Sequence, residues 1–370
     1  MDLSMTSRPV KRFLTAYKIH ANQLTWKFSY VDPRTSPNRF VKGITRPQRT
    51  YMTLTLTFKN KVVEEDEEDD EYWEYEEEED IHFYILENTQ VERDYDGVIE
   101  QDYVRTINEV KAPLAMRKRE NPKEFEIGGD SMDVDLKFLE DLTQHFKSIF
   151  YIDTYNVAHK TTGFFDFFGS FIWKNGGKKF GKLHIDPLWG VHFNEEQIRM
   201  IFNELEVDDL YLSVHTDNKL IPGLNLNSKK LTLKSTEFLS FDDVLESKCE
   251  EMEITFPGKV NVEHHLVKAV TNWKTGEKLK NLKKMTLKSR YMTERDEEDK
   301  KAFFEKARSL GIRRHESAEN KGYINRDTDK AVAMLAYNGR TFQMTVYENT
   351  DDLPKSKEEF DDSEDDYVPF

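Results

Sequence analysis

Apolar residues recur at every second position early in the chain and at helical spacing later on. In LTWKFSY, Leu24, Trp26, Phe28 and Tyr30 share one face, and in YMTLTLTF, Met52, Leu54, Leu56 and Phe58 do so with threonines opposite. IHFYILE repeats the alternation. A period of two predicts strands. Ahead of them, Val10, Phe13, Leu14 and Tyr17 recur at i, i+3, i+4 and i+7, and Pro9 is tolerated in a first turn, which predicts an opening helix from about Arg8.

From Asp135 the period changes. Leu139, Leu142, Phe146 and Ile149 mark one helix. A second starts at Asn194, a good N-cap, with Ile198, Ile201, Phe202 and Leu205 on its face. A third starts near Asn261, carries Val262, Leu266, Ala269, Val270 and Trp273, and ends before Gly276. A further helix holds Phe303, Ala307 and Leu310.

Between these helices runs a recurring short strand of the form L-x-L, at Leu183-His184-Ile185, Leu210-Tyr211-Leu212, Leu231-Thr232-Leu233, Met252-Glu253-Ile254 and Met285-Thr286-Leu287. Their starts lie 27, 21, 21 and 33 residues apart, overlapping the roughly 20–29-residue period of leucine-rich repeats. One strand with its crossover cannot bury its own apolar face, so stacking such units builds a parallel sheet with helices outside. An ordinary α/β domain with irregular crossovers is the alternative. KAVAMLAYNGRTFQMTVYE closes the pattern as a β-hairpin, Asn338-Gly339 suiting a type I′ turn. The expected fold class is α/β: a leucine-rich-repeat-like strand–helix array with a β-rich N-terminal region and a C-terminal β-hairpin.

Charge adds two segments to this picture. Residues 64–80 hold 14 acidic side chains and no Lys or Arg, and residues 351–366 hold 9 acidic and 2 basic. Taking their −14 and −7 out of the formal −16 leaves a body of about +5. Like charges at that density repel and cannot bury, so 64–80 is expected as a disordered loop between two strands. Tyr72, Trp73 and Tyr75 interrupt it. They make it a candidate recognition segment for a basic partner, against the plainer reading of a solvated insert.

The 370 residues suffice for two or three domains or one elongated array. One cysteine, Cys249, excludes an internal disulfide and fits a reducing compartment. No secretory h-region opens the chain, and the most apolar stretch, GFFDFFGSFIW, is too short to span a bilayer. A cytoplasmic or nuclear protein with no membrane partner is expected. The acidic total disfavours nucleic acid.

Candidate chemistry is sparse. GGKKFGKLHID spaces Gly176, Gly181 and Lys182 like a phosphate-binding loop, which would make the chain a nucleotide hydrolase. That loop needs Ser or Thr after the lysine and then a helix. Leu183 and a strand follow instead, so the spacing is assigned to a turn. His264 and His265 are adjacent on a helix and diverge, and the spaced Cys and His clusters that zinc requires are missing. Cys249 reads as a buried small hydrophobe. No catalytic residue, metal ligand or cofactor is expected.

STEFLSFDDVLESKCEEMEI, a helix ending in Trp273 and then LKNLKKMTLKS resemble the type 2 F-box-associated domain of nematode F-box proteins. The family pattern is a strand, an aromatic or aliphatic pair, Ser or Thr, acidic residues and a leucine-type pair. Phe238, Leu239, Ser240, Asp242, Asp243, Val244 and Leu245 fill those places, Cys249 precedes the next strand, and Trp273 closes the following helix. FLEDLTQHFKSIF, FFDFFGSFIWKNGGKKFGKLHID and the closing hairpin extend the resemblance over residues 130 to 348.

The resemblance implies an intracellular, non-enzymatic receptor that selects substrates for a Skp–cullin–F-box ubiquitin ligase. A binding or neutralising protein of the same fold without the ligase link is the runner-up. LSMTSRPVKRFLTAYKI, with Leu3, Val10, Phe13 and Leu14, looks like the last helix of the F-box, the module that docks on the Skp adaptor, without its L-P-containing opening and earlier helices. Four segments follow: 1–18 as this remnant, 19–130 as the β-rich region, 131–350 as the F-box-associated domain and 351–370 as an acidic tail. The acidic insert departs from the family pattern.

In each L-x-L strand the flanking residues point to the core, and the intervening ones point to the opposite face. His184, Tyr211, Ser213, Thr232, Lys234, Glu253, Thr255, Thr286 and Lys288 are therefore the candidate surface for a protein partner. Tyr211 is its one aromatic.

Overall fold

Trp26 lies opposite Leu54, and Leu24 opposite Leu56, where β1 (Ile19–Val31) and β2 (Arg49–Glu65) pair antiparallel. All four side chains are at most 1% exposed, while Thr25 and Thr55 lie half-buried on the other face, as alternation dictates. The computed structural model describes residues 19–31, 49–65, 72–87, 99–107, 110–117, 123–129, 132–160, 168–186, 192–217, 220–258, 260–290, 296–315, 318–329 and 331–349. They form a mixed α/β protein of two units, Met1–Asn218 and Lys219–Phe370. The expected opening helix, with Leu3, Val10, Phe13 and Leu14, and the tail 351–370 lie outside the described residues.

In the first unit the chain continues through β3 (Tyr72–Glu87), β4 (Ile99–Ile107), β5 (Val110–Arg117), β6 (Lys123–Gly129), β7 (Phe150–Lys160), β8 (Lys179–Ile185), β9 (His192–Phe193), β10 (Glu206–Leu212) and β11 (His215–Thr216). The sheet order is β10-β8-β7-β1-β2-β3-β6-β5-β4, with β9 and β11 paired separately. From β10 to β1 the strands are parallel.

Helix α1 (Met132–Ile149) buries Leu139, Leu142 and Phe146. Its Thr143 hydroxyl donates to Leu139 O at 2.7 Å and accepts the indole N–H of Trp26 at 3.0 Å, so the largest core side chain of this unit has its one donor satisfied. Phe171 of α2 (Phe171–Gly176) meets the same indole edge-on. Helix α3 (Glu195–Arg199) starts in a reciprocal capping box between Asn194 and Gln197 and runs on as a π-helical turn, Met200–Glu204. Ile198, Ile201 and Phe202 are buried there, on the expected face.

Across residue 130, β1 lies parallel to β7, Ile19 opposite Phe150, and the first unit runs on to Asn218. Alternation identifies a strand but not its partner, and here the partner is over a hundred residues away. The segment 64–80, expected as a disordered loop, is strand at both its ends. Glu64 and Glu65 end β2, residues 72–80 begin β3, and only 66–71 lie outside the described residues. The register sets Lys59 opposite Glu78 and Lys61 opposite Glu76, so the acidic strand runs beside a lysine-bearing one.

The second unit holds β12 (Lys230–Leu233), β13 (Glu251–Phe256), β14 (Lys284–Ser289), β15 (Arg313–His315), β16 (Ala318–Asn325), β17 (Val332–Tyr337) and β18 (Thr341–Tyr347). Their order is β12-β13-β14-β18-β17-β16-β15, the first three parallel and the rest antiparallel. Helix α4 (Phe241–Leu245) is capped by Ser240, whose hydroxyl accepts from the Asp242 N–H. A π-helical turn, Val262–Val267, leads into α5 (Lys268–Thr275), capped by the Asn261 side chain at its start and by left-handed Gly276, φ 70°, at its end. Helix α6 (Asp296–Ser309) lays Phe303 edge-on against Tyr337 and Phe342, both at 5.5 Å.

All ten outer positions of the five L-x-L strands are at most 2% exposed. The closing hairpin forms, but not through a type I′ turn. Gly339 is left-handed at φ 90°, Asn338 is not, and Asn338 acts instead through its side chain, which accepts the N–H groups of Arg340 and Thr341.

Candidate functional site

The middle residues of β12, β13 and β14 share one face of the second unit's sheet. Thr232 is opposite Glu253, Glu253 opposite Thr286, and Thr255 opposite Lys288. The other face carries Leu231, Ile254 and Leu287, and the helical residues Phe241, His265 and Phe303 pack on that side through Phe256 and Phe342. On the polar face the Glu253 carboxylate takes Lys234 at 2.5 Å and Lys288 at 3.5 Å, and all three side chains are about one-third exposed.

Partial burial opposes ionisation of Glu253, but Lys234 first and then Lys288 outweigh it and hold its pKa below the ordinary value. The result is a row of two ammoniums around one carboxylate, bordered by threonines. Thr286 departs from the expected exposure. It is 6% exposed, because its short side chain lies between Glu253 and Gln343 in register.

His184 and Tyr211 are register partners on β8 and β10 of the first unit, their rings 5.7 Å apart. The Tyr211 hydroxyl donates to Asp186 at 3.4 Å, and His184 Nε2 lies 3.2 Å from Asp209 without hydrogen-bond alignment. Ser213 is half-buried just beyond β10. The structure thus groups the candidate residues into two local sets, one in each unit. Asp186 and Asp209 were not singled out from the sequence; only pairing of β8 with β10 brings them to His184 and Tyr211.

The glycine–lysine stretch has a structural explanation. Helix α2 ends at Gly176, Gly177 caps it at φ 76°, and Lys179–Ile185 is a strand. A Cβ on Gly181 would stand 2.3 Å from Thr154 Cγ2 and 2.8 Å from Asn156 Oδ1. Asn156 is 4% exposed and fully used: its Oδ1 accepts the Lys182 N–H at 2.9 Å, and its Nδ2 donates to Gln23 and Thr25 at 3.0 and 3.2 Å. Gly181 is glycine so that this amide can reach the Lys182 backbone. A shallow cavity of about 180 Å³ adjoins it, and Asp153 and Asp208 share its wall with Lys178 and Lys179. Two carboxylates there oppose phosphate.

Cys249 is 1% exposed, its thiol pushed up to about 12 by burial, so it carries no thiolate near neutrality. Tyr72, Trp73 and Tyr75 stand on β3 opposite Glu65, Glu64 and Val62. Among the described residues no group of three or more His, Cys, Asp or Glu side chains is placed to hold a metal ion, and no helix is long and apolar enough to cross a membrane. No family model, curated protein or solved structure matches this chain.

Proposed function

We propose that this chain is a non-catalytic, leucine-rich-repeat-like interaction receptor that selects a protein substrate for a Skp–cullin–F-box ubiquitin ligase. The observation behind it is how the resembling residues divide between core and surface. Phe238, Leu239, Val244, Leu245, Cys249 and Trp273, which carry the resemblance to F-box-associated domains, are all at most 6% exposed. They build the second unit and leave its Lys234–Glu253–Lys288 face for a partner. A repeat-like sheet presents such a face as an extended docking surface. The alternative is a binding or neutralising protein of the same fold without a ligase link.

Affinity purification of the full chain with quantitative mass spectrometry tests both. The receptor reading expects Skp and cullin in stoichiometric amounts, lost on combined Val10→Ala, Phe13→Ala and Leu14→Ala replacement. It also expects a further partner lost on Lys234→Gln with Lys288→Gln while Skp is retained. Charge reversal is the poorer probe, since it would set three carboxylates together at Glu253. A specific partner without Skp favours the alternative; Skp without any partner sensitive to the lysines removes the face from the argument.

A further inference from the structure

Across β12–β14 the polar face carries Lys230, Lys234, Lys284 and Lys288 against Glu251 and Glu253, a positive excess of two. Lys284 is exposed. Strand β18 runs antiparallel to β14 and finishes beside its start: Thr345 is opposite Lys284, and the Val346 N–H donates to Lys283 O at 2.8 Å. The chain therefore leaves the sheet at the Lys284 end of β14, and Lys234 and Lys288 lie further along the same face, level with Thr255. The next residue but one, Glu348, is already close enough to Lys283 to help raise its pKa, after the larger contributions of Glu250 and then Glu251. Residues 351–366 follow, with 9 acidic side chains and 2 basic ones.

We propose that the acidic segment 351–366 docks across the β12–β14 face, its carboxylates pairing with Lys234, Lys284 and Lys288, and so competes with an acidic protein partner for that face. Reach is ample. Crossing from β14 to β12 is roughly 10 Å at the usual strand spacing, and reaching the level of Lys234 and Lys288 adds roughly 13 Å along the strand, a path that about seven or eight extended residues cover. The tether keeps the segment at roughly millimolar effective concentration, so weak ionic contacts suffice to hold it. Lys234 and Lys288 share the single carboxylate of Glu253, which leaves both with donors to spare. An acidic partner must displace the segment, which makes the face selective for partners of higher charge or better fit. The competition rests on reading this face as a docking surface; the intramolecular contact does not require the ligase link.

Zero-length carbodiimide crosslinking of the full chain at low and high salt tests the contact, with an isotope-labelled copy mixed in to separate crosslinks within a chain from those between chains. Links within one chain from residues 358–366 to Lys234, Lys284 or Lys288 are expected, suppressed several-fold in 1 M salt, where screening is nearly complete. Acetylation footprinting supplies the second readout. With the nine acidic residues of 351–366 replaced by their amides, reactivity should rise at least threefold at those three lysines and stay level at Lys248 and Lys280. Links confined to other lysines, links only between chains, or an unchanged footprint would overturn the proposal. A purification that lacks Skp leaves it standing, so its failure and that of the ligase reading are separable.

Discussion

Gly181→Ala separates the structural role of the glycine–lysine stretch from a phosphate-binding one. The added methyl would lie 2.3 Å from Thr154 Cγ2 and 2.8 Å from Asn156 Oδ1, both closer than carbon or oxygen tolerates. If the strands hold, overpacking costs about 1–3 kcal/mol. If Asn156 swings away, the Lys182 N–H loses its acceptor and Gln23 and Thr25 lose a donor, and one unsatisfied group of this kind costs about 1–3 kcal/mol. The two routes partly exclude each other, so the expected loss is about 2–4 kcal/mol.

Urea unfolding followed by circular dichroism reads such a loss, in the first unit's transition where the two units unfold separately. Thr154→Ser removes only the nearer clashing carbon and keeps the hydroxyl. The clash argument therefore requires Gly181→Ala to cost less in that background, with a coupling of about 1 kcal/mol. Lys182 is exposed, and Lys182→Ala should change stability by less than about 0.5 kcal/mol. A Gly181→Ala protein as stable as the parent, or equally destabilised in both backgrounds, would refute the reasoning. Magnesium-dependent ATP binding lost in Lys182→Ala would restore the phosphate loop.

Trp273 is fully buried with the Arg326 guanidinium 4.7 Å over its ring, so Trp273→Ala should cost about 3–5 kcal/mol, and an unshifted thermal melt of the second unit would show that face of α5 to be misassigned. His265 stacks on Phe256, and its Nδ1 accepts the Asn261 N–H. Burial, then His264 and Lys268, push its pKa down from 6.5 to about 4. Between those two values the unfolded chain binds a proton that the folded one refuses, so stability is full above about pH 6.5 and falls as pH drops towards 4. His265→Gln should remove about one proton from that slope, and an unchanged slope would place the titration elsewhere.

The sequence alone determined the elements whose cause is local. Alternating Leu24, Trp26, Leu54 and Leu56 could only be half-buried strands, Asn194 was legible as a cap and Asn261 as a helix start, and the L-x-L pattern marked ten positions that are all core. These follow from periodicity and from the orphan N–H groups at a helix start, which depend on neighbours in the chain. Tertiary structure decided what depends on distant partners. It set β1 beside β7, drew most of the acidic segment into β2 and β3, and brought Asp186 and Asp209 to Tyr211 and His184. It also turned Gly181 from a motif residue into a contact with Asn156. Pairing and close approach involve residues tens to hundreds of positions apart, and alternation is equally satisfied by many registers, so only the assembled sheet selects one.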